Sequence, residues 1–242
     1  MIRIFNDTES LSRAAATLFS EESQLAVQLH GRFDVVLCGG RTPQRMHEIL
    51  AQPPFRQQIP WLQTHIFWGD ERCVPLHDPR SNEKWAREEL LNEVPVSSDH
   101  IHPIRCHKSP RDAAEAYESK LRKIFDGHLP QFDLIFLGLG SNGHTASLFP
   151  DTDVLEEDKR WAAEVYVKED YLHRVTLTVP VINNAKHVVF LVSGAEKASV
   201  LHQVLEGPFT PRKLPAQLIQ PTNGTITWLV DKAARYGYRH NQ

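Results

Sequence analysis

The chain has 242 residues, 41% of them hydrophobic and 24% charged, enough apolar material to close one sizeable core, and we expect one domain over residues 1–242. Its formal charge of -3 comes from both signs interspersed along the whole length, which excludes a basic stripe for nucleic acid or an anionic membrane surface; any anion must be met locally. Cys38, Cys73 and Cys106 fit neither a disulfide framework nor paired zinc ligands, and no basic, apolar leader or membrane-length apolar run occurs, so a cytoplasmic protein with reduced thiols is expected.

In chain order, the segment Thr8 to His30 sets Leu11, Ala14, Ala15, Leu18, Leu25 and Leu29 at helical spacing, opens on Asp7 or Thr8 as cap and stops at Gly31. Apolar runs then recur as FDVVLC (33–38), HIFWG (65–69), FDLIFLGL (132–139), VTLTV (175–179), HVVFLVS (187–193) and TITWLV (225–230), which read as strands. Between them TPQRMHEILAQ, NEKWAREELLNEV, PRDAAEAYESKLRKIFDG and AEKASVLHQVLEG read as helices. This alternation predicts an α/β fold with a mostly parallel sheet flanked by helices on both faces.

Ligands of such sheets bind beyond the carboxyl ends of the strands. In VVLCGGRTPQRM, Gly39 and Gly40 allow close backbone approach, Thr42 is a good N-cap and Pro43 suits a first helical turn, so the Gly40, Arg41 and Thr42 amides form a candidate phosphate site. In HIFWGDERCVPLHDPRSN, Asp70, Glu71 and Arg72 follow a strand, where two carboxylates and a guanidinium orient a sugar, move a proton or clamp phosphate; Ser81 or Asn82 caps the next helix, and Cys73 reads as a packed thiol. Arg174 opens one later run, and Gly194 with Lys197 forms another strand-to-helix turn suited to an anion. DHIHPIRCH offers His100, His102, Cys106 and His107, but their spacing matches no closed zinc pattern and the stretch reads as a connecting loop.

GLGSNGHTASLFP, residues 138–150, carries glycines at the G-x-G-x-x-G spacing. A dinucleotide fingerprint needs a full helix from its last glycine and a second strand ending in an acidic residue. Here Pro150 comes seven residues after Gly143, and PDTDVLEEDKRW follows. What remains is a glycine loop, with Gly140 and Gly143, that presents His144 as a candidate general base.

Taken in order, GGRTP, WGDERCVPLHDPRSN, GLGSNGHTASLFP, RVTLT, SGAEK and LPAQLI resemble the 6-phosphogluconolactonase family of the pentose phosphate pathway, and they span most of the chain. The resemblance implies a modified Rossmann-like sheet shared with glucosamine-6-phosphate deaminases, and hydrolysis of a sugar-phosphate lactone, 6-phospho-D-glucono-1,5-lactone, without metal or cofactor, by a monomer or small homo-oligomer. Under it, His144 activates water, glycine-loop amides serve as oxyanion donors, Asp70 assists, and phosphate is held by Gly40 to Thr42 with Arg72, Arg174 and Lys197. One position departs from the pattern: most relatives have aspartate where this chain has Asn142, which implies a less basic His144. Two rivals are an amino-sugar phosphate deaminase-isomerase, whose family reads DEY and GHIAFNEP at the corresponding stretches, and a sugar-phosphate sensor that has lost catalysis.

Overall fold

A computed structural model describes residues 1–106 and 109–236; His107 lies outside the described residues. The chain opens with β1 (Ile2–Phe5) and α1 (Thr8–His30). Helix α1 starts and stops where the sequence predicts. The Asp7 carboxylate accepts from the Ser10 amide at 2.8 Å, the Asp7 amide donates back to the Ser10 hydroxyl at 3.2 Å, and Gly31 closes the helix at φ 83°. Its Phe19 stands edge-on to Phe33 at 5.3 Å and stacks on Phe136 at 6.3 Å, fixing the helix across the sheet.

There follow β2 (Phe33–Leu37), α2 (Arg41–Leu50), α3 (Phe55–Gln58), β3 (Thr64–Trp68), β4 (Asp70–Arg72), α4 (Asn82–Ala86), β5 (Ile101–His102), α5 (Pro110–Ile124) and β6 (Leu134–Gly138). The last part holds β7 (Ala162–Val167), β8 (Leu172–Leu177), α6 (Val179–Asn183), β9 (His187–Val192), α7 (Ala198–Glu206), β10 (Thr225–Asp231) and α8 (Lys232–Tyr236). Seven strands form an all-parallel sheet in the order β1-β10-β9-β6-β2-β3-β5. Its central strands read as nearly unbroken apolar runs because both their faces are covered: every residue of β2, Asp34 included, is buried. The neighbours β9-β6-β2-β3 set four carboxyl ends side by side, so the turns at Gly39, Gly69, Gly138 and Gly194 leave from one edge.

The structure departs from the sequence reading at four places. Strand β8 does not join the main sheet: β4, β8 and β7 form a second, antiparallel sheet. The chain crosses between the sheets at Gly69, whose amide donates to the Leu37 carbonyl at 3.1 Å while its own carbonyl accepts from Leu177 at 2.8 Å. Helix α2 is capped by Gly40, with no side-chain cap bond, and Thr42 lies inside it. Part of DHIHPIRCH is an edge strand, β5, paired with β3. Finally, Cys73 and Cys106 form a disulfide with Cα atoms 5.1 Å apart, a proximity their 33-residue separation conceals. That bond removes cysteine usage as an argument for a reducing compartment, while Cys38 is buried and free. Among the described residues no helix is long and apolar enough to cross a membrane.

Candidate active site

Ten of the expected site residues, Gly39, Gly40, Arg41, Thr42, Asp70, Arg72, Gly140, His144, Arg174 and Lys197, line one cleft of about 750 Å³ at the carboxyl edge of the sheet. Its charged lining is four cations, Arg41, Arg72, Arg174 and Lys197, against two carboxylates, Asp70 and Glu196. In a chain of net charge -3 this is the local cationic excess that an anionic ligand requires. At one wall, the N-terminus of α2 has neither a side-chain cap nor an acidic residue in its first turn, so its field acts on whatever enters the cleft.

The glycine loop is folded around His144. A β-carbon at Gly140 would fall inside the imidazole, and Gly143, at φ 81°, has Leu214 packed against its Cα. The spacing that imitates a dinucleotide motif therefore serves to seat a histidine. The imidazole stacks on Phe149, with ring centroids 4.0 Å apart. Asn142 Oδ1 lies 3.2 Å from the His144 amide nitrogen and 2.6 Å from Nδ1. The amide N–H can only donate, so it fixes the oxygen of the Asn142 side chain in this position; that oxygen can only accept, so Nδ1 carries the hydrogen. Nε2 is left with its lone pair. Burial lowers the His144 pKa to about 4, partly countered by Asp70 and reinforced by Arg174 and Lys197. At neutral pH the ring is thus an uncharged base.

Two more amides of the loop are engaged internally. Gly140 N donates to the His144 carbonyl at 2.8 Å and Gly143 N to the Gly140 carbonyl at 3.0 Å. The Gly140, Gly143 and His144 amides thus bond within the loop. Further donors come from the second sheet, where Arg72 and Arg174 stand directly opposite each other in the β4·β8 register. Like charges facing across a ladder destabilise it, yet among the described residues the buried Nε of each guanidinium has no partner. Arg174 is held by Asp170 through Nη2 and by the ring of Phe149, 5.1 Å from its Cζ. Arg72 donates to the Arg80 carbonyl at 2.6 Å.

Glu71 turns away from the cleft. It accepts from the amides of Arg72 (2.8 Å), Asn82 (2.8 Å) and Glu83 (2.7 Å) and from the Ser81 hydroxyl (3.1 Å), tying the end of β4 to the start of α4. Burial raises its pKa to about 7 against the pull of those amides. Asp70, buried beside it, faces the cleft and accepts from Ser147 Oγ at 2.6 Å and from Asn82 Nδ2 at 3.3 Å. The sequence reading names neither Ser147 nor Asn82 as a site residue. Asn82 is read there only as a helix cap, and Ser147, inside GHTASLFP, looks like any small loop residue. Cys106, proposed and set aside as a metal ligand, is in the disulfide, and among the described residues no group of three histidine, cysteine or acidic side chains has the geometry of a metal site.

Over residues 6–228 the chain matches the family model for glucosamine-6-phosphate isomerases and 6-phosphogluconolactonase. A 6-phosphogluconolactonase of Synechocystis is 41% identical over 213 residues, covering 86% of either chain. The crystal structure of a 6-phosphogluconolactonase from Thermotoga maritima superposes with a TM-score of 0.83 at 30% identity, over 96% of this chain and 99% of its own. A monomeric glucosamine-6-phosphate deaminase, at 19% identity over 96% of this chain and 98% of its own, shares the fold with a TM-score of 0.82.

Proposed function

The chain belongs to the glucosamine-6-phosphate isomerase/6-phosphogluconolactonase family, and from that premise we propose that His144 is the general base for hydrolysis of 6-phospho-D-glucono-1,5-lactone to 6-phospho-D-gluconate. That hydrolysis, a step of the pentose phosphate pathway, is the activity its kinship assigns. The observation that carries the role of His144 is the double acceptance by Asn142 Oδ1, which leaves Nε2 unprotonated in a cationic cleft.

The lactone is an activated ester, so catalysis needs a water stripped of its proton and a place for negative charge on the carbonyl oxygen. Nε2 takes the proton as water attacks C1. The imidazolium that forms is stabilised by the Asp70 carboxylate, the largest charged influence on the ring. With the Gly140, Gly143 and His144 amides bonded within the loop, Arg72 and Arg174 serve the anionic oxygens of the substrate. Collapse of the tetrahedral intermediate breaks the bond from C1 to the ring oxygen, which collects the proton from His144. The phosphate lies at the opposite wall, on the free N-terminus of α2 with Lys197. Fixing that remote group orients C1 toward the base.

An amino-sugar deaminase needs an acid at position 142 to move protons during ring opening; an amide oxygen locked as acceptor has no proton to give. The sensor reading takes Asn142 as the lesion; the contact of Asn142 Oδ1 with His144 Nδ1 supports a working base over a lost one. To test the reading, the lactone is generated in situ and its loss followed above the spontaneous rate for wild type and His144→Ala. Fast loss that vanishes in the variant is the expected result. Equal fast loss in both removes His144 from the mechanism, and background loss in both favours the sensor.

A further inference from the structure

Asp70 carries two oxygens with different company. Oδ1 takes the Asn82 amide at 3.3 Å, and the Asp70 carbonyl takes the same amide at 3.0 Å. Oδ2 faces two competing donors: Ser147 Oγ at 2.6 Å and Arg174 Nη1 at 3.9 Å. The serine, not the arginine, has the hydrogen bond. Left alone, a carboxylate and a guanidinium buried this close would join in a charge-assisted pair. Joined, each would cancel the charge that the other presents to the cleft.

The position of Ser147 is over-determined. It is fully buried, its amide donates to Thr176 Oγ1 at 3.2 Å, and Thr176 is the register partner of Asp70 across β4·β8. The turn before it is closed by the Leu148 amide on the Thr145 carbonyl at 2.9 Å, with Ala146 held in the left-handed region at φ 46°. Left-handed backbone disfavours a residue with a β-carbon and persists where its surroundings enforce it.

Resting on the reading of His144 as base, we infer that Ser147 is a positioning residue: its neutral hydroxyl holds Asp70 away from Arg174, keeping the carboxylate's charge for His144 and the guanidinium free for the substrate. A hydroxyl suits this task because it satisfies the carboxylate without neutralising it. Asp170 holds the far side of Arg174 in the same sense, from the turn between β7 and β8. The charged groups acting on His144 are Asp70 from β4, Arg174 from β8, Asp170 from that turn and Lys197 beyond β9, with Asp70 the strongest. When Asp70 and Arg174 pair, the net attraction that favours the imidazolium is lost, and the base weakens.

The test is Ser147→Ala, with Ser147→Thr keeping the hydroxyl and Asp70→Asn removing the partner's charge. For Ser147→Ala we expect kcat at neutral pH to fall about tenfold and the acid limb of kcat/KM to move to lower pH, a shift that a merely structural serine would not produce. Ser147→Thr should keep the wild-type limb, and adding Ser147→Ala to Asp70→Asn should change neither quantity further. If Ser147→Ala does not accumulate folded, Ser147→Cys, a weaker donor of similar size, takes its place with the same expectations. An unmoved limb and kcat in Ser147→Ala or Ser147→Cys, in an enzyme that His144→Ala silences, would overturn the inference and leave the lactonase reading intact. Activity surviving in His144→Ala would overturn both.

Discussion

The imidazole of His144 occupies the space that a β-carbon on Gly140 would fill. The two residues are four apart in a loop whose ends are pinned, by Gly140 N on the His144 carbonyl at 2.8 Å and by Ala216 N on the Gly143 carbonyl at 2.9 Å. The ring therefore has nowhere to retreat except out of its contact with Asn142 or Phe149.

Gly140→Ala should fold normally, because Gly140 is partly exposed and its backbone is not in the left-handed region. It should nevertheless lower kcat by roughly 100-fold, the effect of displacing a catalytic group by about 1 Å. Steady-state kinetics beside a thermal melt checks this. A wild-type kcat would mean that the seat of the ring is not critical.

Asn142→Asp places a carboxylate against the Nδ1 hydrogen, 2.6 Å from the present oxygen. A neighbouring negative charge favours the imidazolium, so the His144 pKa rises from about 4. The base works only when unprotonated, so activity that persists down to about pH 4 in wild type should be lost one to two units higher in the variant. Above that limb kcat should rise, because the stronger base has the greater driving force. An unchanged pH-rate profile and kcat would show that the residue at 142 does not tune the base.

Much of this site was legible in the sequence because it hangs on local chain geometry. Strand ends, glycine turns and a histidine after Gly143 are contiguous features, and the parallel sheet then gathers them at one edge. What stayed hidden depends on contacts between distant segments. Ser147 meets Asp70 across 77 positions, and the Arg72–Arg174 pairing follows from β8 leaving the main sheet, which an apolar run alone does not announce. The internal bonding of the Gly140 and Gly143 amides was illegible for the same reason: which donors a loop has left over is decided only when it closes.

A second pH effect concerns stability. His65 and His102, on neighbouring strands, are 3.2 Å apart through Nδ1 and Nε2, a contact in which one ring donates and the other must accept. Burial, with Arg32 and His100 on His65 and Lys120 and His100 on His102, lowers their pKa values to about 3 and about 4. In the unfolded chain both return to about 6.5, so between these values the unfolded state binds more protons. The stability they contribute is complete above pH 6.5 and is lost as pH falls through the folded values. Thermal midpoints should therefore decline from pH 6.5 toward pH 4, less steeply in His102→Phe. Parallel slopes would exclude the pair as the cause.

The disulfide supplies the last prediction. Cys73 directly follows Arg72, and its bond to Cys106 closes a span of 33 residues that contains α4. By loop-closure entropy a cross-link of that length is worth about 3–4 kcal/mol, acting on the unfolded chain. Most of the native geometry is secured independently: the Cys73 amide donates to the His173 carbonyl at 2.9 Å, and Glu71 with Ser81 caps the start of α4. Reduction, or Cys106→Ser, should thus lower the guanidinium midpoint markedly while kcat and KM in buffer stay close to wild type, since the β4·β8 ladder still presents Arg72. A large rise in KM on reduction would instead show that the bond, and not the ladder, holds that guanidinium in place.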